Sequence, residues 1–495
     1  MDANPNMDIK RKGEKNMKKT LAILLAAVML LAMSAVAMAA TPTGNITVNN
    51  LEQWAKVELY QLIEMPFDDA NNQYNDVKWT DEMAAWLATS SYSALKPTDA
   101  PSSTNPNDDA PQLYQDLYAA IKNGTAALPI VKNGQALTEN ATVSFSDLTV
   151  GTYMVIVYGG AKEHQPYVVS LKPEFVSNAW SVEDKTVDAS KKATEPTIEK
   201  TVNKPTVGIT EDVTFTIKTS VPKYADNAQN IKYWISDEMD EGLTYLSDTL
   251  VVKGDSTVLT KDDAYTVEAF AGTASAGKKG LFKLVFNYDK IKDYDFITVT
   301  YDAKANEKIR VQALDNENKA IFEYTNGSKD DTACVYTFGI QITKTNKDNE
   351  KLEGAEFVLK LNGTELKFTK NINGIYKRDE SGDTKLVSDA NGLIKIDGLD
   401  VGTYTLVETK APENYNPLKA PKTIELVQDG TSKNLLSGKT TAIHEETVVN
   451  SKGMIVPSTG GMGTTVFMVA GIVIMACAVV TLMMLLKRQK NGSEG

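Results

Sequence analysis

Residues that could carry nucleophilic or metal chemistry are scarce in this chain of 495 residues. It contains two histidines, His164 and His444, and two cysteines, Cys334 and Cys477. So few imidazoles and thiols argue against a structural zinc site and against a Ser/His/Asp triad. No pair of carboxylates and no nucleophile motif points to a hydrolase. The sequence therefore predicts no turnover enzyme, no metal site and no cofactor.

The composition indicates an acidic protein that lacks disulfides. The net charge is -12, and the absence of basic clusters argues against nucleic acid or anionic lipid as a partner. Cys477 lies within a long apolar run, so Cys334 would be the one thiol of the exported part, and a disulfide framework is excluded. An exported protein of this kind needs another source of resistance to force and proteases.

Short runs of Thr, Val, Ile and Tyr alternate with clusters of Asn, Asp and Gly, which is typical of antiparallel β-sandwiches. Residues 213–218 and 296–301 each alternate polar with apolar side chains, as in a sheet with one buried face. An internal repeat is also visible, since residues 143–153 (VSFSDLTVGTY) match residues 394–404 (IKIDGLDVGTY). The sequence predicts an all-β protein of tandem immunoglobulin-like sandwiches in an elongated array.

Composition changes divide the chain into five segments. We predict a signal peptide at 1–39, domains at 40–192, 193–338 and 339–452, and a carboxy-terminal signal at 453–495. The first domain also contains two short helical patterns. In one, Met83, Trp86 and Leu87 share a face behind a possible Thr80 cap; the other has Leu113, Leu117 and Ile121.

Both ends of the chain contain apolar segments. Lys18 and Lys19 precede the apolar stretch 21–36 and the Ala37-Met38-Ala39 sequence, which is the plan of a cleaved signal peptide. Near the other end, the apolar run 464–486 is followed by Lys487 and further basic residues. About 20 apolar residues match the hydrocarbon core of a bilayer, and the basic tail would stay cytoplasmic. We therefore expect a transmembrane helix at 464–486.

The five residues Val456, Pro457, Ser458, Thr459 and Gly460 stand directly before that run. This order resembles a sortase sorting signal, in which the first residue is usually Leu. The resemblance implies that a sortase cuts the bond between Thr459 and Gly460 and transfers the Thr459 carboxyl to an amine.

Residues 339–450 resemble the B-type repeat of collagen adhesins and Gram-positive pilins. The residues that carry the resemblance are Ile342-Thr343-Lys344, then Leu352 to Phe357 (LEGAEF), then Tyr404 to Pro412 (YTLVETKAP), and the closing Asn450. In that family, a lysine, a glutamate and an asparagine form an intramolecular isopeptide bond. The resemblance implies that Lys344 is the nucleophile, Glu408 the acid and base, and Asn450 the electrophile. Burial would favour this reaction, because it lowers the pKa of a lysine and raises that of a carboxylic acid.

The second domain resembles the fimbrial D2-type isopeptide domain, which uses Asp in place of Glu. Trp234 to Asp237 (WISD) followed by Gly242 to Tyr245 (GLTY) matches the segment that bears this Asp. The resemblance implies that Asp237 is the acid and base and that Lys200 is the attacking lysine. Both Asn316 and Asn318 precede the strand 320–324, and we prefer Asn318 as the partner because it lies nearer to that strand.

The first domain departs from the pattern. Val157 stands six residues beyond Gly151, where Glu408 stands six beyond Gly402. We therefore predict no isopeptide bond by this route in the first domain. Trp180, Val187 and the pair Lys191-Lys192 loosely resemble the pilin motif, whose lysine accepts the acyl group of the next subunit. Lys192 and Lys191 are both candidates.

These resemblances imply a shaft subunit of a sortase-assembled pilus on a Gram-positive surface. Its partners would be sortase, further copies of itself, minor pilins and the peptidoglycan to which the fibre is attached, and host surface ligands are a further candidate. The membrane would be spanned only before sorting, after which the protein belongs to the cell wall. The alternative is a monomeric wall-anchored adhesin, or a minor pilin of the fibre tip or base.

Overall fold

The computed structural model describes residues 41–101, 105–270, 274–311, 316–427, 442–452 and 463–490. The predicted signal peptide 1–39 and the predicted sorting motif 456–460 lie outside these ranges. The described residues form tandem β-sandwiches, as the alternating patterns predict.

The first domain combines a sandwich with two helices. Its helices are α1 (Asp81–Thr89) and α2 (Gln112–Lys122), with 3-10 turns at Pro97–Asp99 and Ala189–Lys192. Its strands are β1 (Gly44–Leu51), β2 (Lys56–Glu64), β3 (Phe67–Asp68), β4 (Gln73–Tyr74), β5 (Lys78–Trp79), β6 (Lys132–Gln135), β7 (Ala141–Leu148), β8 (Gly151–Tyr158), β9 (Glu163–His164), β10 (Tyr167–Leu171), β11 (Pro173–Val176), β12 (Ala179–Val182), β13 (Lys185–Asp188) and β14 (Ala193–Thr194). One sheet has the order β13-β1-β7 and the facing sheet β10-β8-β2-β5.

Both predicted helices are present and pack against the outside of the second of these sheets. The Thr80 hydroxyl accepts a hydrogen bond from the amide of Met83, and Met83 and Leu87 are buried. Leu113 and Leu117 are the buried positions of α2 that the spacing predicts. The helices therefore bury an apolar face, as amphipathic surface helices do.

The second domain is a sandwich of two five-stranded sheets. Its elements are β15 (Ile198–Val202), β16 (Asp212–Ser220), β17 (Tyr233–Asp240), β18 (Leu243–Gly254), β19 (Thr257–Val258), β20 (Tyr265–Glu268), β21 (Lys278–Phe286), α3 (Tyr288–Ile291), β22 (Phe296–Ala305), β23 (Asn316–Tyr324) and β24 (Gly327–Val335). One sheet has the order β15-β16-β22-β18-β19 and the other β20-β21-β17-β23-β24.

The third domain repeats this plan. Its strands are β25 (Phe338–Asn346), β26 (Glu356–Leu361), β27 (Thr364–Glu365), β28 (Phe368–Lys370), β29 (Ile375–Arg378), β30 (Leu386–Val387), β31 (Leu393–Leu399), β32 (Gly402–Lys410), β33 (Lys422–Leu426) and β34 (Ile443–Asn450). The sheet β28-β29-β31-β25-β34 faces the sheet β27-β26-β32-β33. The first strand, β25, and the last, β34, are parallel neighbours.

The internal repeat corresponds to one local structure used twice. Gly151 and Gly402 begin β8 and β32, and the tyrosine two residues later is buried in each case. The Tyr153 hydroxyl donates to the carbonyl of Thr149 at 2.7 Å, and the Tyr404 hydroxyl donates to that of Asp400 at 2.8 Å. The buried phenol thereby fixes the turn that leads into the strand.

The carboxy-terminal segment is helix α4 (Gly463–Lys490), which contains the predicted membrane segment 464–486. Within the described ranges, none of the helices is both long enough and apolar enough to span a membrane.

Candidate crosslinking sites

The candidate site of the second domain lies between its two sheets. Lys200 is the one fully buried position of β15, with Asp237 on β17 and Asn318 on β23 of the facing sheet. Side chains alternate along a strand, so the inward register at these positions directs all three into the interior. The fold thus brings a lysine, a carboxyl and a carboxamide together from strands far apart in sequence.

The contacts of this site run through one further residue, Tyr301 of β22. Lys200 Nζ donates to Asp237 Oδ2 and, at 3.0 Å, to the Tyr301 hydroxyl. The Tyr301 hydroxyl donates to Asp237 Oδ2 at 2.9 Å and accepts from Asn318 Nδ2 at 2.7 Å. Asp237 Oδ1 and Asn318 Oδ1 are buried without a hydrogen-bond partner.

Burial moves both titratable groups of this site towards their neutral forms. Desolvation lowers the pKa of Lys200, and the neighbouring Asp237 only partly offsets this. Desolvation also raises the pKa of Asp237, against the opposing effect of Lys200. A neutral amine is the form that can attack a carbonyl carbon, and a protonated carboxyl is the form that can donate a proton to the carboxamide.

The structure separates the two candidate asparagines. Asn316 accepts from the amide of Arg310 at 2.9 Å and donates to the carbonyls of Arg310 and Val335, each at 3.2 Å. Its carboxamide therefore links the backbone of Arg310 and Val335 at the start of β23. Asn318, two residues further on, is the asparagine that shares Tyr301 with Lys200.

In the third domain, the candidate residues lie where the first and last strands run side by side. Lys344 of β25 pairs with Val448 of β34, and Asn346 pairs with Asn450. The Lys344 side chain is fully buried, and its Nζ donates to the carbonyl of Val448 at 3.2 Å and to that of Thr345 at 3.4 Å. Burial lowers the pKa of Lys344 to about 8, although the charge of Glu408 opposes this.

Glu408 contacts the asparagine directly. Asn450 Nδ2 donates to both carboxylate oxygens of Glu408, at 2.9 and 3.0 Å, and to the carbonyl of Asn416 at 2.9 Å. The amide of Leu418 donates to Glu408 Oε2 at 2.7 Å, which fixes the carboxylate, while Asn450 Oδ1 is buried without a partner. Glu408 lies towards the end of β32 and is half-buried.

Family models of known proteins match parts of the second and third domains. Residues 209–328 match a family model described as Gram-positive pilin backbone subunit 2, Cna-B-like domain, and residues 338–440 match one described as SpaA, prealbumin-like fold domain. Residues 209–328 are thus similar to a domain of Gram-positive pilin backbone subunits.

The chain is also similar to individual proteins. The trypsin-resistant surface T6 protein of Streptococcus pyogenes serotype M6 is 25% identical over 409 residues, which cover 77% of this chain and 71% of that protein. The solved structure of the T6 backbone pilin of serotype M6 Streptococcus pyogenes has 19% identity, covers 78% of this chain and 80% of its own, and has a TM-score of 0.43. The pilus 2b backbone protein of group B streptococcus has 24% identity, covers 52% of this chain and 99% of its own, and has a TM-score of 0.42.

The two candidate pilin lysines differ sharply in environment. Lys192 ends the 3-10 turn that Asp188 caps through the amide of Ser190, and only 8% of its surface is exposed. Its Nζ donates to the carbonyl of Pro166 at 3.2 Å and lies 4.9 Å from the centre of the Tyr167 ring. Burial lowers the pKa of Lys192, while nearby acidic side chains oppose this. Lys191 is exposed.

The first domain has no carboxyl at the position of Glu408. Val157 is buried and pairs with Val57 of β2, so this part of β8 is purely apolar. The absence of an isopeptide bond by this route in the first domain stays a prediction.

Sequence reasoning missed Tyr301. Residues 296–301 were recognised as an alternating strand, and Tyr301 shares the parity of the buried Ile297 and Val299. That parity places a phenol in the interior, where its hydroxyl needs partners. The available signal was therefore a buried polar group, not a motif.

Proposed function

We propose that this protein is the shaft subunit of a covalently polymerised pilus on a Gram-positive cell surface. The match of residues 209–328 to the backbone-subunit domain of Gram-positive pilins carries the proposal. Two groups of lysine, carboxyl and asparagine, one in the second domain and one in the third, support it further, because they suit self-formed crosslinks in a protein without disulfides.

In the third domain, the proposed reaction joins Lys344 to Asn450. The neutral amine of Lys344 attacks Cγ of Asn450, a new C–N bond forms, and the bond to Nδ2 breaks with loss of one ammonia. One proton must pass from the attacking nitrogen to the departing one, and Glu408, which already contacts Nδ2 with both oxygens, is placed to carry it. The fold supplies the proximity that an enzyme would otherwise provide.

In the second domain, Lys200 and Asn318 would react in the same way, with Asp237 as the acid and base. Both reactions happen once per chain, so neither makes the protein a turnover enzyme.

The crosslink in the third domain would change how the domain carries load. Pulling force enters through β25 and leaves through β34, which are parallel neighbours. A bond between Lys344 and Asn450 joins these strands covalently, so the rest of the sandwich no longer lies in the path of the force. The bond would slow unfolding under shear and cleavage by proteases. One relative of this chain is named for its trypsin resistance.

Polymerisation would use Thr459 of one subunit and Lys192 of the next. Sortase would cleave after Thr459 and transfer its carbonyl to the Lys192 amine, and the last subunit would be joined to peptidoglycan. The exposed Lys191 serves as the matched control, since it has the same side chain one residue away without the contacts to Pro166 and Tyr167.

The proposal is tested by an immunoblot of wall material released with a peptidoglycan hydrolase and boiled in denaturant. We expect a ladder of high-mass bands from wild type and from Lys191→Arg, and a single band from Lys192→Arg, which keeps the positive charge but is not an acyl acceptor. A ladder in all three would place the acceptor elsewhere. A single band in wild type would contradict the shaft function and favour the anchored adhesin.

A further inference from the structure

The second-domain site contains a hydroxyl with no assigned role. Tyr301 is fully buried, and its oxygen is within hydrogen-bond distance of Lys200 Nζ, Asp237 Oδ2 and Asn318 Nδ2. Its ring packs among the rings of Phe215, Tyr245 and Phe282, at centroid distances of 5.3 to 5.8 Å. A phenylalanine would fill this space equally well, and burying a hydroxyl is costly unless it is hydrogen-bonded.

The carboxyl groups of the two candidate sites make different contacts with the asparagine. In the third domain, both oxygens of Glu408 contact Asn450 Nδ2, the nitrogen that would leave. Asp237 is one methylene shorter, and Asn318 Nδ2 contacts Tyr301 where Asn450 Nδ2 contacts the glutamate. The Tyr301 hydroxyl therefore occupies the gap that the shorter acid leaves between the carboxyl and the leaving nitrogen.

We propose that Tyr301 is a catalytic residue of the second-domain crosslink, where its hydroxyl relays the proton from the attacking lysine to the leaving nitrogen. This inference rests on the crosslink proposed between Lys200 and Asn318. It adds a residue to the lysine, acid and asparagine that the family resemblance implies.

In the proposed step, Lys200 Nζ forms a bond to Cγ of Asn318 while Asp237 is protonated. Asp237 passes its proton to the Tyr301 oxygen as the Tyr301 hydroxyl gives its own proton to Nδ2. The bond from Cγ to Nδ2 then breaks and ammonia leaves. Asp237 Oδ2, which already contacts Lys200 Nζ, takes the surplus proton from that nitrogen, so Asp237 and Tyr301 return to their starting protonation.

The electrostatics of the site agree with a relay that never becomes charged. Burial, helped by the adjacent Asp237, raises the pKa of Tyr301 well above its ordinary value, so a phenolate is strongly disfavoured. A neutral hydroxyl can still accept one proton while it donates another. General acid and base groups of this kind contribute about 10²- to 10⁴-fold to a rate.

The test follows crosslink formation over time in full chains made by cell-free translation. Samples are quenched in denaturant and digested, and the fragments that contain Lys200 and Asn318 are examined for a joined species that has lost one ammonia. The variants are Tyr301→Phe and, as a matched control, Tyr233→Phe. Tyr233 is also fully buried in this domain, but its hydroxyl pairs with Thr219. The third-domain crosslink of the same chain is the internal control.

We expect Tyr301→Phe to slow the second-domain crosslink by about 100-fold or more, with Tyr233→Phe and the third domain unchanged. A Tyr301→Phe chain that crosslinks as fast as wild type would overturn the relay. If Tyr301→Phe and Tyr233→Phe slow the reaction equally, hydroxyl loss acts through folding and the relay is also wrong. If the wild-type second domain never loses ammonia, the proposed crosslink itself fails.

A second substitution separates the relay from packing. In the Tyr301→Phe background, Asp237→Glu lengthens the acid by one methylene, as in the third domain. Partial recovery of the rate would support the view that Tyr301 spans a gap in proton transfer. A Tyr301→Phe chain that is cleaved by protease in this domain faster than an Asn318→Ala chain, which also lacks the crosslink, would assign Tyr301 a structural role and contradict the relay.

Discussion

Replacing Glu408 with Gln should prevent the third-domain crosslink while keeping the shape of the side chain. The glutamine amide cannot take a proton from Lys344 and return it to Asn450 Nδ2. Its side-chain oxygen can still accept from the amide of Leu418, which in the native protein donates to Glu408 at 2.7 Å. The variant chain should therefore fold, and should retain the one ammonia, about 17 Da, that the bond would release.

The size of the stability loss follows from the loop that the bond closes. Lys344 and Asn450 enclose about 100 residues, and by analogy with a disulfide such a closure restricts the unfolded chain by roughly 4 to 5 kcal/mol. For a domain of this size, each kcal/mol changes the midpoint of thermal unfolding by about 4 °C or more. We expect the third-domain transition to fall by about 15 to 25 °C.

The assay combines intact mass with calorimetry on the same samples. Glu425→Gln is the matched control, because Glu425 is exposed on β33 of the same domain. Introducing Glu408→Gln into a chain that already carries Lys344→Met should change the free energy of unfolding much less than in wild type, since both substitutions remove the same bond.

Two results would refute this reasoning. If Glu408→Gln chains still lose the ammonia, the glutamate does not carry the proton. If the ammonia is retained but the transition temperature stays within a few degrees of wild type, the crosslink is not the source of stability.

Two further predictions concern the same sites. In Asn450→Ala, Lys344 keeps a free amine whose pKa is lowered by burial to about 8 from 10.5. Between pH 8 and 10.5 the unfolded chain then binds more protons than the folded chain. The free energy of unfolding of this domain should therefore rise by roughly 3 kcal/mol from pH 8 to 10.5 and be constant below pH 8. Urea unfolding should show no such rise when Lys344→Met is added, and equal slopes would contradict the shifted pKa. Asp237→Asn should prevent the second-domain crosslink only, so the chain should keep one ammonia that wild type loses. Asp330→Asn, at an exposed ion pair, should lose the same ammonia as wild type. Retention of that ammonia in both variants would argue against a specific role for Asp237.

Much of the fold could be predicted because alternation in the sequence reports burial directly. Residues 213–218 and 296–301 lie in β16 and β22 with one buried face, as predicted. The repeated tyrosine also proved structural, since Tyr153 and Tyr404 make the same hydrogen bond to a turn. These features are local, so a short stretch of sequence contains the information that determines them.

The sites were harder to predict because their contacts join distant strands. Nothing local to Tyr301 indicates that Lys200 and Asn318 will reach it from two other strands. Nor does the sequence near Glu408 reveal that it is half-buried.

The predicted boundary near residue 192 also has structure of its own. Residues Ala193–Thr194 pair with Glu163–His164, and Lys192 is buried against Tyr167. The stretch 191–196 (KKATEP) is polar and contains a proline, but its pairing with a distant strand overrides this local composition.

The central claim is covalent polymerisation through Lys192 and Thr459, and mass spectrometry of purified fibres tests it most directly. Trypsin should release residues 453–459 after Lys452 but should not cut at an acylated Lys192, and a glutamate-specific protease then cuts after Glu199. We expect a branched peptide in which residues 192–199 carry residues 453–459 on the Lys192 side chain, with one water lost. An unmodified Lys192 in fibres whose Thr459 is joined to another amine would contradict it.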